Sequence, residues 1–170
     1  MKHSKAKRFS RRNFGKRAII FTALVAIMSL LPLTASAVQT EKPLKIGIVG
    51  AGLIGGSVGV LWAQAGHEVF FSSRHPEELG DLLKQAGPTA KAGTPAEAAA
   101  FGDVVFVAVP YHAMPKVGQD LSPLLQNKVV IDCGNPYPRR DGEMAVEALK
   151  KGTGVASAEF FPGVRLVRAY

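Results

Sequence analysis

The chain has 170 residues, 47% of them hydrophobic, and a single cysteine, Cys133. That is room for one domain-sized core and not two, and it excludes an intrachain disulfide framework. The formal net charge of +8 suggests a nucleic-acid partner, yet residues 1–37 hold eight Lys or Arg and no acid, leaving 13 basic and 13 acidic residues in the remainder. A neutral body lacks the basic face that such binding needs, so no nucleic acid is expected.

The first element is a targeting segment. Ser10-Arg11-Arg12-Asn13-Phe14-Gly15-Lys16 resembles the twin-arginine export motif of bacteria, departing from it only at Gly15, where Leu is usual. An apolar run from Ala18 to Leu33 follows, and Ala35-Ser36-Ala37 offers the small residues that a signal peptidase accepts. Cleavage after Ala37 would release a periplasmic or otherwise exported protein beginning at Val38, with the twin-arginine translocase as its partner in transit. The alternative is an uncleaved membrane anchor through residues 18–38, against which Pro32 and the short apolar run weigh. The resemblance implies a protein that folds before export, frequently around a cofactor. Residues 38–43 read as a short linker and 44–170 as the folded domain.

Leu44-Lys45-Ile46-Gly47-Ile48-Val49 is short, apolar and rich in branched residues, the pattern of a strand buried on both faces. Gly50-Ala51-Gly52-Leu53-Ile54-Gly55 completes the spacing G-x-G-x-x-G, and Ser57–Ala65 reads as a helix capped by Gly66. In this strand-turn-helix setting the first glycine permits the turn and the second lets backbone N–H groups approach a pyrophosphate. The third lets helix and strand pack closely. The next strand, His67–Phe71, ends about twenty residues after Gly50, where NAD-binding domains carry an acid on the ribose hydroxyls. Here stand Ser72-Ser73-Arg74-His75, with no carboxylate to repel a 2′-phosphate and several groups to receive it. The expected cofactor is therefore NADP(H).

Pro76–Ala86 reads as a helix, Thr89–Ala92 as a short strand and Pro95–Ala100 as a helix. Asp103–Val109 is the clearest buried strand, ended by Pro110. Met114–Leu125 reads as a broken helix, Lys128–Asp132 as the fifth strand and Val164–Ala169 as the sixth. Gly134–Pro138 and Gly152–Ser157 read as loops from their Gly and Pro content. Alternation of this kind predicts a single α/β domain, a Rossmann-type doubly wound parallel sheet. Ligands bind such sheets beyond the carboxyl ends of the strands at the switch point, which selects Pro110-Tyr111-His112 and Asp132-Cys133-Gly134-Asn135-Pro136-Tyr137 as loops facing the nicotinamide. Asp132 reads equally as a loop-ordering or a catalytic carboxylate, and Cys133 as a packed thiol rather than a redox one. His3, His67 and His75 make no ligand spacing with His112, so no metal is expected.

Together, Lys45–Gly56, Gly66-His67-Glu68-Val69, Ser72-Ser73-Arg74, Ala108-Val109-Pro110, Ile131-Asp132 and Asn135-Pro136-Tyr137 resemble the NADP oxidoreductases that depend on the deazaflavin coenzyme F-420, whose Rossmann domain is related to that of pyrroline-5-carboxylate reductase. The resemblance implies that Ser73 and Arg74 contact the 2′-phosphate and that Ala108-Val109-Pro110 and Asn135-Pro136 border the nicotinamide. It implies hydride transfer between NADPH and a small acceptor, a deazaflavin or flavin ahead of a pyrroline-5-carboxylate-like imine, with a non-catalytic NADP-binding or redox-sensing module as the alternative. Such transfer asks for proximity and orientation more than for a general base; His112 is the only histidine placed to act as one, and it reads equally as a polar residue opening the next helix. Members of the family generally continue past the strand at Arg165–Tyr170. The expectation is either an incomplete substrate pocket or one completed by a partner subunit, as in a homo-oligomer.

Overall fold

Residues 42–169 are described by the computed structural model. The expectations for the export motif, for cleavage after Ala37 and for an anchor through residues 18–38 lie outside the described residues. Among the described residues no helix is long and apolar enough to cross a membrane.

Six strands form one sheet: β1 (Lys45–Val49), β2 (Glu68–Ser72), β3 (Lys91–Gly93), β4 (Val104–Val107), β5 (Val129–Asp132) and β6 (Arg165–Arg168). Their order is β3-β2-β1-β4-β5-β6 and every pairing is parallel, as the alternating pattern predicts for a doubly wound Rossmann sheet. The central strands β1, β4 and β5 read as nearly continuous apolar runs because both of their faces are covered. Successive side chains go to opposite faces: Val49, Val105, Val107 and Val130 join one core cluster, whereas Ile46, Ile48, Val69, Phe71 and Phe106 join the other.

The helices are α1 (Leu53–Gln64), α2 (Gly80–Ala86, after a 3-10 turn at Pro76–Leu79), α3 (Pro95–Phe101), α4 (Met114–Leu125), α5 (Pro138–Asp141), α6 (Glu143–Lys151) and α7 (Thr153–Phe160). α3 opens on a full capping box, in which Thr94 Oγ1 accepts from Glu97 N and Glu97 accepts from Thr94 N. Residues of α1 and α2 cover the cluster around Phe71 and Phe106, and Trp62 meets Phe106 edge-on at 5.1 Å. Residues of α3, α4, α6 and α7 cover the other face.

Two expectations change. Met114–Leu125 is a continuous helix with Pro115 in its first turn, where no N–H is needed, and Pro123 inside its last turn. The expected loop at Gly152–Ser157 is helical from Thr153. Gly152, at φ 93°, ends α6, and α7 begins at once. Tertiary packing overrides the Gly content there. Gly118 of α4 lies so close to the chain at Phe160 that an added Cβ would stand on that residue's carbonyl, and Ala156 and Ser157 are buried.

Candidate dinucleotide site

The registers Val49↔Ser72, Val49↔Val107 and Val107↔Asp132 bring the carboxyl ends of β1, β2, β4 and β5 side by side. The segments singled out from the sequence therefore share one sheet edge, with the switch point between β1 and β4. Gly50 has φ 98°, and a Cβ there would meet Ala108 O at 2.6 Å and Val109 Cγ1 at 3.0 Å. The turn therefore needs glycine on two counts, and Ala108 and Val109 lean directly on it. Gly55 carries its helix against Gly50, whose carbonyl oxygen occupies the place of any Cβ.

Gly52 differs. At φ −74° its backbone suits any residue, and nothing lies within 4 Å of where its Cβ would be. It stands at the N-cap of α1, which has no side-chain cap and no acid in its first turn. The first N–H groups of a helix have no intrahelical partner, and the helix dipole is positive there. Open space over an uncapped helix start fits a pyrophosphate. Leu53 and Ile54, which complete the motif, are exposed beside it.

At the tip of β2 the groups divide. Ser72 is fully buried, and its hydroxyl donates to Ile48 O at 2.7 Å. This corrects its expected place among the phosphate-facing groups: still in register with β1, it turns its side chain into the core. Ser73 Oγ accepts from His75 N at 3.0 Å and keeps its own proton to donate. Arg74 is exposed and makes no ion pair among the described residues. His75 Nδ1 lies 3.3 Å from Glu77 Oε1, and donor atoms of His75, Glu77 and Glu78 fall within 4.8 Å of one another on the surface, a grouping that the histidine spacing does not reveal.

Between the loops after β4 and β5, the central residue is Asp141, which no sequence motif marks. The Asp141 side chain is fully buried. Its Oδ1 accepts from His112 N at 3.2 Å, His112 Nδ1 at 2.8 Å and Arg140 Nε at 2.8 Å, and its Oδ2 accepts from Tyr137 N and Arg140 NH2, both at 2.8 Å. One carboxylate thus ties the loop after β4 to the loop after β5. The Arg140 guanidinium, against the cost of burial, and the added N–H donors hold the Asp141 carboxyl well below the usual carboxylate range. Arg140 also donates to Asn135 O at 2.8 Å and stacks on the Tyr137 ring.

Asp132 is fully buried, accepting from Gly134 N at 2.6 Å and from Arg168 at 2.6 Å, while Arg168 also donates to Asn135 Oδ1 at 3.1 Å. Of its two readings the geometry selects loop ordering. Pro136 is buried and Pro110 exposed. Tyr111 does not face the edge: it is fully buried, packed edge-on against Phe160 at 5.9 Å, with its hydroxyl unpartnered among the described residues. Cys133 is buried and donates to Val107 O; burial first, and then the neighbouring Asp132 charge, push its thiol pKa up. It is a packed thiol.

No curated protein matches the sequence. Among solved structures, the chain is similar to a candidate F-420-dependent NADP-reductase from Arthrobacter sp. (23% identity, TM-score 0.62, covering 74% of this chain and 61% of that one). It is also similar to a hypothetical protein from Sinorhizobium meliloti (26% identity, TM-score 0.60, 74% and 60%), and to an imine reductase from Pseudomonas sp. (18% identity, TM-score 0.54, 75% and 41%). The chain thus spans about three-fifths or less of the length of these structures. Residues 45–136, more than half of the chain, match the family described as NADP oxidoreductase, coenzyme F-420-dependent. That span takes in the glycine loop, the β2 tip and both loops of the switch point, and on it the chain belongs to the coenzyme F-420-dependent NADP oxidoreductase family.

Proposed function

We propose that this chain binds NADP(H) and passes hydride between it and a small acceptor, a deazaflavin of the F-420 type or a flavin. The observation that carries the reading is the pairing, on one sheet edge, of an uncapped glycine loop with open space at Gly52 and a β2 tip that offers Ser73 and an exposed Arg74 with no ion pair among the described residues. Bound there, the nucleotide supplies hydride from its nicotinamide C4. The chain's part is orientation: backbone N–H groups of the loop hold the pyrophosphate, Ser73 and Arg74 hold the 2′-phosphate, and Ala108-Val109-Pro110 with Asn135-Pro136 border the ring. An imine acceptor is the second reading, with which the likeness in fold to an imine reductase is consistent. The test is oxidation of NADPH by the purified protein with coenzyme F-420, a flavin or a cyclic imine. Tight binding without oxidation by any of them refutes hydride transfer and leaves an NADP-binding or redox-sensing module.

We further propose export by the twin-arginine translocase with cleavage after Ala37, on the strength of Ser10–Lys16 and Ala35-Ser36-Ala37. Changing both Arg11 and Arg12 to Lys is expected to trap the precursor in the cytoplasm; unchanged export refutes the assignment. A native mass that retains residues 1–37 favours the anchor instead.

A further inference from the structure

We infer that His112 delivers a proton from Nε2 to the hydride acceptor, with Asp141 as its positioning residue, so that the acceptor is one that gains a proton on nitrogen as its conjugated carbon gains the hydride. This rests on the hydride-transfer reading above and adds a residue to it.

The geometry resolves the imidazole. Asp141 Oδ1 is 2.8 Å from His112 Nδ1 and 3.2 Å from His112 N, so side chain and backbone of one residue are gripped by one oxygen. Arg140 binds the same carboxylate through Nε and NH2. A carboxylate held ionised by a guanidinium is an acceptor only, so Nδ1 carries a proton whether the ring is neutral or charged. Exchange is thereby confined to Nε2, which has no partner among the described residues, on a side chain that is 50% exposed while Asp141 is fully buried.

Position makes that nitrogen useful. His112 follows Ala108-Val109-Pro110, the segment that leans on Gly50 at the switch point, and the loop after β5 is fastened to it through Tyr137 N. Of the charged groups on elements packed against residues 111–113, Lys116 is paired with Asp120 and Lys150 with Glu147. Asp141 is the charged group bonded to His112 itself, and Arg140 sits on the same carboxylate.

The step balances without another reactant. The acceptor carbon receives hydride from NADPH, and its conjugated nitrogen receives the proton from His112 Nε2. The imidazole is left neutral with Nδ1–H on Asp141 and regains its proton from water. NADP+ and the doubly reduced acceptor leave. Imines and deazaflavins meet this requirement, since both take up hydride on carbon and a proton on nitrogen.

The experiment uses the full folded protein with NADPH and two probes, coenzyme F-420 and 2-methyl-1-pyrroline. For His112→Ala the expected result is a fall in kcat of about 10²–10⁴-fold, an NADPH Kd within twofold of wild type, and partial recovery on adding imidazole. Independently of turnover, 15N spectra of the wild-type protein are expected to show the neutral His112 ring with its proton on Nδ1. A kcat for His112→Ala within threefold of wild type, or a neutral ring protonated on Nε2, overturns the proposal and leaves hydride transfer intact. A wild-type protein that binds NADPH yet reduces neither probe overturns the underlying reading, and the proposal with it.

Discussion

Replacing Gly52 by Ala separates nucleotide binding from folding. The residue lies at φ −74°, within ordinary L-residue space, and a Cβ meets nothing within 4 Å. The fold therefore has no reason to resist, and loss of glycine's unfolded-state freedom leaves stability unchanged or raised by about 0.4–1 kcal/mol. The same methyl group stands where the backbone N–H groups would approach a pyrophosphate. Losing one hydrogen bond to a charged group costs about 1.5–3 kcal/mol, so NADPH affinity is expected to fall about tenfold to hundredfold. Gly55→Ala is the contrast. Its Cβ falls on Gly50 O and lies 3.1 Å from the Ala108 side chain, so the helix has to move and stability drops by about 1–3 kcal/mol along with binding. Thermal unfolding and NADPH fluorescence titration on the two variants make the comparison. A folded Gly52→Ala protein that binds NADPH like wild type refutes the placement of the pyrophosphate on this loop.

Arg74→Ala is expected to weaken NADPH binding by about 1–3 kcal/mol and leave NADH binding nearly unchanged in parallel titrations; equal losses mean that Arg74 does not read the 2′-phosphate. The carboxyl of Asp141 lies lower when folded than its unfolded value of about 3.9. Its stabilisation is therefore complete above the unfolded value and lost as pH falls toward the folded one. In urea titrations the stability gap between wild type and Asp141→Asn is expected to be widest above about pH 5 and to narrow progressively as pH falls below about 4. Cys133, buried and pushed up in pKa, is expected to react with a thiol reagent in the native protein only at the rate of unfolding; labelling as fast as a free thiol at neutral pH contradicts the packing described.

What the sequence made legible is what depends on neighbours along the chain. The glycine loop is a local matter of φ, spacing and one close approach, and β4 is a continuous apolar run. Both were readable for that reason. Asp141 was not: it sits in the unremarkable run Pro138-Arg139-Arg140-Asp141, and its partner His112 lies 29 positions earlier. No periodicity links them. The Asp132–Arg168 pair, 36 positions apart, is hidden in the same way. Adjacency to Ser73 and Arg74 points Ser72 at the ligand, yet strand register decides its direction. α6 does carry a local signal, with Glu143 in its first turn, Lys150 and Lys151 in its last and Gly152 after it. α7 carried none, since its helicity comes from packing where Gly118 meets Phe160.

The hydrogen bond from Ser72 to Ile48 marks where the architecture stops and the chemistry of recognition starts. Residues up to Ser72 are committed to the core, whereas Ser73 and Arg74 lie beyond the last paired strand position. A tip built that way is interchangeable: its two side chains can be rewritten without disturbing a buried contact. If the 2′-phosphate is read there as proposed, coenzyme preference is a replaceable part, and an acidic residue at position 74 is the smallest edit expected to turn the site from a phosphorylated ribose to a bare one.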